Sequence, residues 1–180
     1  HPMDWLSVGM HTLGMAETTG DWLEDALNLV ARMPRVMGLL FRYREGRSEG
    51  IPTDDLSLGL VDRFVATLDP EGVDRSVMRE VLNAYLVLHL DHGGGNLSTF
   101  TGKATASGKA TLYASMASAM NSLSGPLHGR ANQSCLEFVL GIGTSDPAEV
   151  ESFIRGELEA KRPVFGFGHA VLRAEDPRAT

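Results

Sequence analysis

Apolar side chains recur at three- and four-residue spacing along most of the chain, which is the repeat of an amphipathic helix. The first such segment starts directly after Pro2, and proline suits the first turn of a helix. Later segments stop at helix-ending signals, among them Gly46 after two arginines and the pair Asp69-Pro70. Residues 164–167 are the best candidate for a short strand. The pattern therefore predicts a predominantly helical chain.

Two features complicate the helix boundaries. Pro34 lies inside an apolar stretch, and it predicts that one helix ends there or that the next one begins. Residues 98–122 are rich in Ala, Gly, Ser and Thr, a composition that also suits a flexible linker. Because Leu112, Met116 and Met120 recur there every four residues, we favour a buried helix whose small side chains allow close approach by its neighbours.

Two further helices are predicted toward the end of the chain. One contains Leu136, Val139 and Leu140, which are expected to face inward. The other begins with a capping pattern around Asp146, where a proline follows directly, and extends to Lys161.

Composition narrows the function classes. The 16 basic and 23 acidic residues give a net charge of −7, and no Lys/Arg cluster stands out, so a nucleic-acid partner is not expected. No stretch approaches the roughly 18 apolar residues of a membrane helix. The single cysteine, Cys135, cannot form an internal disulfide, which fits a reducing compartment.

Three histidine-containing stretches carry the candidate chemistry, and the first comes at residues 89–96. His89 and His92 are three residues apart, so on a helix they face the same side. They could bind a metal together with Asp91, but no further ligand appears at a zinc-site spacing. Alternatively, His92 donates a hydrogen bond to an anionic substrate, or the stretch is a polar helix end followed by a triple-glycine turn.

The second stretch, residues 124–132, places His128 at a sharp bend between Gly125-Pro126 and a predicted helix. The positive end of a helix dipole favours a neutral imidazole there. A neutral imidazole N–H is suited to hydrogen-bonding an enol or enolate oxygen. The alternative interpretation is a histidine that merely caps the helix.

The third stretch runs over residues 166–178. It contains a Gly-Phe-Gly-His sequence ending at His169, followed by Arg173 and Arg178. Glycine allows close backbone approach, and arginine binds carboxylates with two parallel hydrogen bonds. This combination suits a substrate that bears carboxylates, although a glycine turn before a short helix explains the pattern equally.

In this order, the three stretches resemble the citrate synthase family. The sequences Gly-Pro-Leu-His-Gly and Gly-His-Ala-Val-Leu-Arg are similar to its eukaryotic-type branch, which many bacteria also carry. The resemblance covers essentially the whole chain. It implies an all-α, multi-helical fold in a homodimer, with residues 1–128 in a large domain and residues 129–180 at the beginning of a small domain.

The resemblance also implies roles for particular residues. The position of His128 polarises the thioester carbonyl of acetyl-CoA and stabilises its enol. His169 matches a residue that hydrogen-bonds and protonates the ketone oxygen of oxaloacetate, while His92 and Arg178 match residues that hold oxaloacetate. Arg173 matches a residue at a CoA phosphate. The backbone segment beside the adenine and pantetheine of CoA corresponds to Val164, Phe165, Gly166, Phe167 and Gly168.

The implied reaction condenses acetyl-CoA with oxaloacetate and hydrolyses citryl-CoA, without a metal or other cofactor and without a nucleic-acid or membrane partner. The family's aspartate base lies downstream of the Asp-Pro-Arg motif. We therefore expect these residues to be an internal part of a longer synthase, without its N-terminal helices and C-terminal third, and to be inactive alone. The expected location is the cytoplasm in a bacterium or the mitochondrial matrix in a eukaryote.

Three alternatives remain open from the sequence. A 2-methylcitrate synthase would use propionyl-CoA with the same residues. A zinc enzyme would use His89, Asp91 and His92 as ligands. A non-catalytic helical interaction module would need none of these side chains for chemistry.

Overall fold

The structure is a computed structural model that describes residues 1–90, 93–168 and 173–175. In those residues it contains eight α-helices and no strand, which confirms the all-α prediction. The helices are α1 (Pro2–Glu17), α2 (Trp22–Arg44), α3 (Leu60–Leu68), α4 (Arg75–Leu88), α5 (Leu97–Ser107), α6 (Leu112–Leu123), α7 (Ala131–Ile142) and α8 (Pro147–Glu159).

The helices belong to two compact units, His1–Leu123 with α1 to α6 and Ser124–Thr180 with α7 and α8. The assignment of residues 1–128 to a large domain and 129–180 to a small domain stays a prediction. None of the helices in the described ranges is both long and apolar enough to cross a membrane.

The core of the first unit lies among α1, α2 and α6. Tyr113 and Ala117 of α6 are almost fully buried, at 1% and 0% exposure. They pack with Leu6 and Met10 of α1 and with apolar residues of α2, because each helix presents one apolar stripe to the others. The remaining buried members of this cluster are Leu29 and Leu40.

The small-residue run 98–122 packs closely, as predicted, but forms two helices rather than one. A Cβ atom at Gly102 of α5 would lie 3.2 Å from the Cβ of Ala119 in α6, so the two backbones approach closely. The hydroxyls of Thr105 and Ser118 are joined across the pair by a 2.9 Å hydrogen bond. The chain reverses between them at Lys109, whose φ of 59° lies in the left-handed region.

The helix boundary predicted at Pro34 is wrong, because α2 runs through it from Trp22 to Arg44. Proline lacks the N–H that would bond the carbonyl of Val30, four residues earlier. Beside that gap, the Arg63 guanidinium of α3 donates to the carbonyl of Ala31 at 2.8 Å. A buried arginine thus donates to the carbonyl next to the one that lost its partner, and the helix continues to Arg44.

In the second unit, α8 begins as predicted: the Asp146 side chain accepts hydrogen bonds from the first turn, and Pro147 follows. The expected inward face of α7 is wrong, since Leu136, Val139 and Leu140 are 60%, 55% and 69% exposed. The packed face of α7 instead carries two residues three positions apart, Cys135 and Phe138, which are half-buried.

Candidate functional site

His128 lies in the turn that leads into α7, as the sequence predicts. Its backbone N–H donates to the Gly125 carbonyl at 3.0 Å, which closes the bend. Its own carbonyl accepts from the N–H of Ala131, the first residue of α7, at 3.4 Å. The side chain is half-buried. The backbone of His128 is therefore held just before the N-terminal end of α7, where the helix dipole favours negative charge on a ligand.

The segment 164–168 forms a turn, and the strand expected there is wrong. The Phe167 N–H donates to the Val164 carbonyl at 3.3 Å. Gly166 and Gly168 have φ values of 92° and 78°, which interrupt an extended backbone and which residues with a Cβ adopt only with strain. The side chain of Phe167 is 82% exposed. This turn offers accessible backbone and an accessible aromatic ring to a ligand.

Helix α7 is connected to both turns: it begins just after the His128 turn, and the 164–168 turn packs against it. The Phe138 ring of α7 lies edge-on to the Phe165 ring, with centroids 6.0 Å apart and planes at 62°. A Cβ at Gly166 would lie 3.2 Å from the Cys135 Sγ atom, so the turn backbone approaches α7 closely. Cys135 and Phe138 lie four and seven residues beyond the start of α7, about 6 and 10 Å along its axis, so the 164–168 turn packs along the middle of the helix that begins just after the His128 turn.

The chain enters the 164–168 turn from a firmly closed helix end. Lys161 has a φ of 56°, and the Arg162 N–H reaches back to the Glu157 carbonyl at 2.9 Å, a Schellman-type ending of α8. The Arg162 guanidinium also donates to both Glu157 carboxylate oxygens, at 2.8 and 2.6 Å. These hydrogen bonds lower the pKa of Glu157 and raise that of Arg162. The direction of the chain into the turn is thus fixed by the C-terminal end of α8.

The first histidine stretch begins at the end of α4, in the first unit. His89 is the C-terminal capping residue, and its Nδ1 lies 2.7 Å from the Tyr85 carbonyl. Its ring also stacks on the Tyr85 ring with a centroid distance of 4.0 Å. Downstream, the Asn96 side chain caps α5 by accepting from the Ser98 N–H. The contact of Nδ1 with a backbone carbonyl orients the His89 ring at the helix end, an arrangement that capping and metal-binding histidines share.

Several predicted site residues lie outside the described residues. They are Asp91, His92, His169 and Arg178, and their roles stay predictions. Arg173 is described and exposed, and its contact with a CoA phosphate stays a prediction as well. Across the described ranges, no group of three or more His, Cys, Asp or Glu side chains is arranged to hold a metal ion.

Sequence reasoning missed Phe138 and Cys135, which support the 164–168 turn. Their three-residue spacing was a usable signal, because residues at that spacing share a helix face. The aliphatic residues Leu136, Val139 and Leu140 form a stronger apolar pattern, so the prediction assigned the buried face of α7 to the side that is exposed.

The described part of the chain is a multi-helical protein whose candidate site is built from turns at helix ends. The family model described as "Citrate synthase, C-terminal domain" matches residues 1–180. The chain belongs to the citrate synthase family.

Curated relatives carry two related names. A mitochondrial 2-methylcitrate synthase of Yarrowia lipolytica is 38% identical over 164 residues, covering 87% of this chain and 34% of the relative. A mitochondrial citrate synthase of Citrus maxima is 38% identical over 179 residues, covering 96% of this chain and 36% of the relative. The chain thus spans about a third of the length of these relatives.

Solved structures of similar fold are also citrate synthases. The enzyme of Pyrobaculum aerophilum matches 99% of this chain and 47% of its own, with a TM-score of 0.81 and 30% identity. A ternary complex of the Thermoplasma acidophilum citrate synthase with carboxymethyl coenzyme A and oxaloacetate has a TM-score of 0.78 at 24% identity, over 99% of this chain and 47% of that one. The latter likeness concerns the fold alone.

Proposed function

We propose that the protein catalyses the citrate synthase reaction, in which acetyl-CoA condenses with oxaloacetate and citryl-CoA is hydrolysed to citrate and CoA. The observation that carries the proposal is the use of one helix, α7, for two features. It starts just after the His128 turn, and the glycine turn at 164–168 packs along its middle, at Cys135 and Phe138. Membership of the citrate synthase family supports the assignment.

The chemistry needs a hydrogen-bond donor at the thioester oxygen. The α-proton of a thioester is a weak acid, so its removal by a carboxylate base places negative charge on the thioester oxygen. A donor already fixed at that oxygen stabilises the enol or enolate without reorganisation. We assign this donor to the His128 imidazole. The backbone of His128 is fixed on both sides by its hydrogen bonds to Gly125 and Ala131. We assign no described residue to the base.

The enol carbon then attacks the ketone carbon of oxaloacetate, and a carbon–carbon bond forms. The ketone oxygen takes up the electron pair and is protonated, a role that we propose for His169. Water hydrolyses the resulting thioester and releases CoA. We propose that His92 and Arg178 hold oxaloacetate, that Arg173 contacts a CoA phosphate, and that the 164–168 turn lies along CoA. No metal or other cofactor enters these steps.

A second candidate is 2-methylcitrate synthesis from propionyl-CoA, which the Yarrowia lipolytica relative favours by its name and its 38% identity. The two reactions share every step above and differ by one methylene in the acyl pocket. Because one methylene changes selectivity by about 10- to 200-fold, the ratio of kcat/KM for the two thioesters decides between them. A higher value for propionyl-CoA would replace the first proposal by the second.

The test measures thiol release from acetyl-CoA, with and without oxaloacetate, by the full gene product. His128→Ala should lower kcat by about 10²-fold or more, the usual effect of removing a preorganised oxyanion donor. His11→Ala is the matched control, since His11 is an exposed histidine of α1 with no proposed role, and it should leave kcat unchanged. Turnover by the wild type that His128→Ala leaves unchanged would overturn the role of His128, whereas no turnover by either protein would favour the non-catalytic module.

Two wider proposals accompany the reaction. We propose a homodimer, which the mass in solution from light scattering would test. We also propose the mitochondrial matrix in a eukaryotic host, where the named relatives are mitochondrial, and the cytoplasm in a bacterial host.

A further inference from the structure

Phe138 is the central ring of a three-ring cluster in the second unit. On one side it meets Phe153 of α8, with centroids 5.7 Å apart and planes at 65°. On the other side it meets Phe165 of the 164–168 turn at 6.0 Å and 62°. Both pairs are edge-to-face, the arrangement that the ring quadrupoles favour. Phe138 thus links the glycine turn to the body of the unit.

The two phenylalanines of the turn behave differently. Phe165 is 38% exposed and lies against Phe138, whereas Phe167 is 82% exposed. Gly166 lies between them with a φ of 92°, in the left-handed region that favours glycine. Among the described ring pairs, the turn takes part in one, Phe165 with Phe138, which together with the close approach of Gly166 to Cys135 holds its backbone against α7.

We propose that Phe138 is a positioning residue that sets the affinity for acyl-CoA by holding Phe165, and through it the 164–168 turn, against α7. The inference rests on the proposed function. A turn released from its anchor samples other conformations, and CoA then binds only the fraction that is correctly placed. The apparent dissociation constant rises by the inverse of that fraction.

The condensation step itself is expected to be unaffected. The turn that carries His128 is closed by its own backbone bonds to Gly125 and Ala131, which do not involve the Phe138 ring. Loss of the anchor therefore raises KM for acetyl-CoA while kcat and KM for oxaloacetate stay the same. A residue that only stabilised the fold would not produce this split.

The test compares three variants of the full gene product. Phe138→Leu removes the ring edge that faces Phe165 and should raise KM for acetyl-CoA about two- to thirteenfold, the range that corresponds to one lost aromatic pair. Phe138→Tyr keeps the ring and should restore KM to near the wild-type value. Phe153→Leu is the matched control, because Phe153 meets Phe138 but has no ring contact with Phe165 among the described pairs, and it should raise KM less than Phe138→Leu does.

Hydrogen exchange gives a second readout that does not depend on turnover. The Phe167 amide, bonded to the Val164 carbonyl at 3.3 Å, should exchange faster in Phe138→Leu than in Phe153→Leu. An unchanged KM and an unchanged exchange rate in Phe138→Leu, with an active wild type, would overturn the inference alone. A wild type that neither turns over nor binds acetyl-CoA would overturn the proposed function, and the inference about affinity with it.

Discussion

Gly14 and Gly9 occupy the same helix but face different amounts of space. A Cβ added at Gly14 would lie 2.8 Å from the Cβ of Tyr113 and 2.9 Å from its Cγ. Carbon atoms in favourable contact are about 3.5–4.0 Å apart, so one helix must move. Tyr113 is 1% exposed, so its ring is enclosed by neighbouring atoms and cannot move aside. At Gly9 the nearest atom, a methyl carbon of Val36, would be at an ordinary 3.5 Å.

We therefore expect alanine to have opposite effects at the two positions. Replacing glycine by alanine inside a helix stabilises by about 1 kcal/mol through backbone entropy. Gly9→Ala should gain about that amount. Gly14→Ala gains the same stabilisation from backbone entropy, but it also costs about 1–3 kcal/mol through overpacking, because α1 and α6 must move apart where they cross. The net result is a loss of up to about 2 kcal/mol, and the two variants should differ by about 1–3 kcal/mol.

Urea unfolding followed by circular dichroism measures this difference directly. If the slope m is unchanged, the shift of the midpoint gives the change in free energy of unfolding. Gly9→Ala serves as the control for helix propensity, since both variants make the same chemical change in α1. If Gly14→Ala were as stable as Gly9→Ala or more so, the close approach of α1 to Tyr113 would be wrong.

Two further predictions concern buried polar groups. The Tyr113 hydroxyl is buried without a hydrogen-bond partner among the described residues, and burial raises its pKa, so Tyr113→Phe should stabilise by about 1 kcal/mol in thermal unfolding; a clear loss of stability would show that the hydroxyl is bonded. Asp54 accepts two hydrogen bonds from Arg63, at 3.1 and 2.7 Å, which lower its pKa, so Asp54→Asn should cost about 1–2 kcal/mol at neutral pH. Because the folded pKa lies below the unfolded one, this stabilisation is present above a pH of about 4 and is lost as the pH falls through the folded value. The difference in free energy of unfolding between the wild type and Asp54→Asn should therefore become smaller in acid. A difference that does not depend on pH would contradict the ion pair.

Local signals predicted the helix ends well. Asp146 caps α8 through its own side chain, and α3 ends at Leu68, directly before Asp69-Pro70. These signals depend on neighbouring residues alone, so a single sequence contains them. Beside Pro34, by contrast, the Ala31 carbonyl accepts a hydrogen bond from Arg63, which is distant in sequence. No local pattern carries that information.

The choice of buried face failed for a related reason. Periodicity shows that Leu136, Val139 and Leu140 share a side of α7, but it does not show what covers that side. Packing is decided by the partner, and in the second unit the partners are aromatic rings that meet Phe138. For the candidate site, the sequence predicted the His128 bend because Gly-Pro and His-Gly act locally. It did not predict the anchor of the 164–168 turn, because that contact joins residues 27 positions apart.

The glycines of this chain serve two purposes that composition cannot separate. Gly14 and Gly38 lie inside helices, and a Cβ at Gly38 would meet the Thr67 side chain at 2.6 Å, so they are required by the space between helices. Gly168 has a φ of 78° with nothing within 4 Å of its added Cβ, so it is required by backbone conformation alone. At the first kind of position a smaller side chain opposite relieves the strain of a substitution. At the second kind nothing opposite relieves it, because the strain lies in the residue itself. Gly166, with both a φ of 92° and the Cys135 Sγ at 3.2 Å, is subject to both constraints, and it lies in the turn that we assign to CoA.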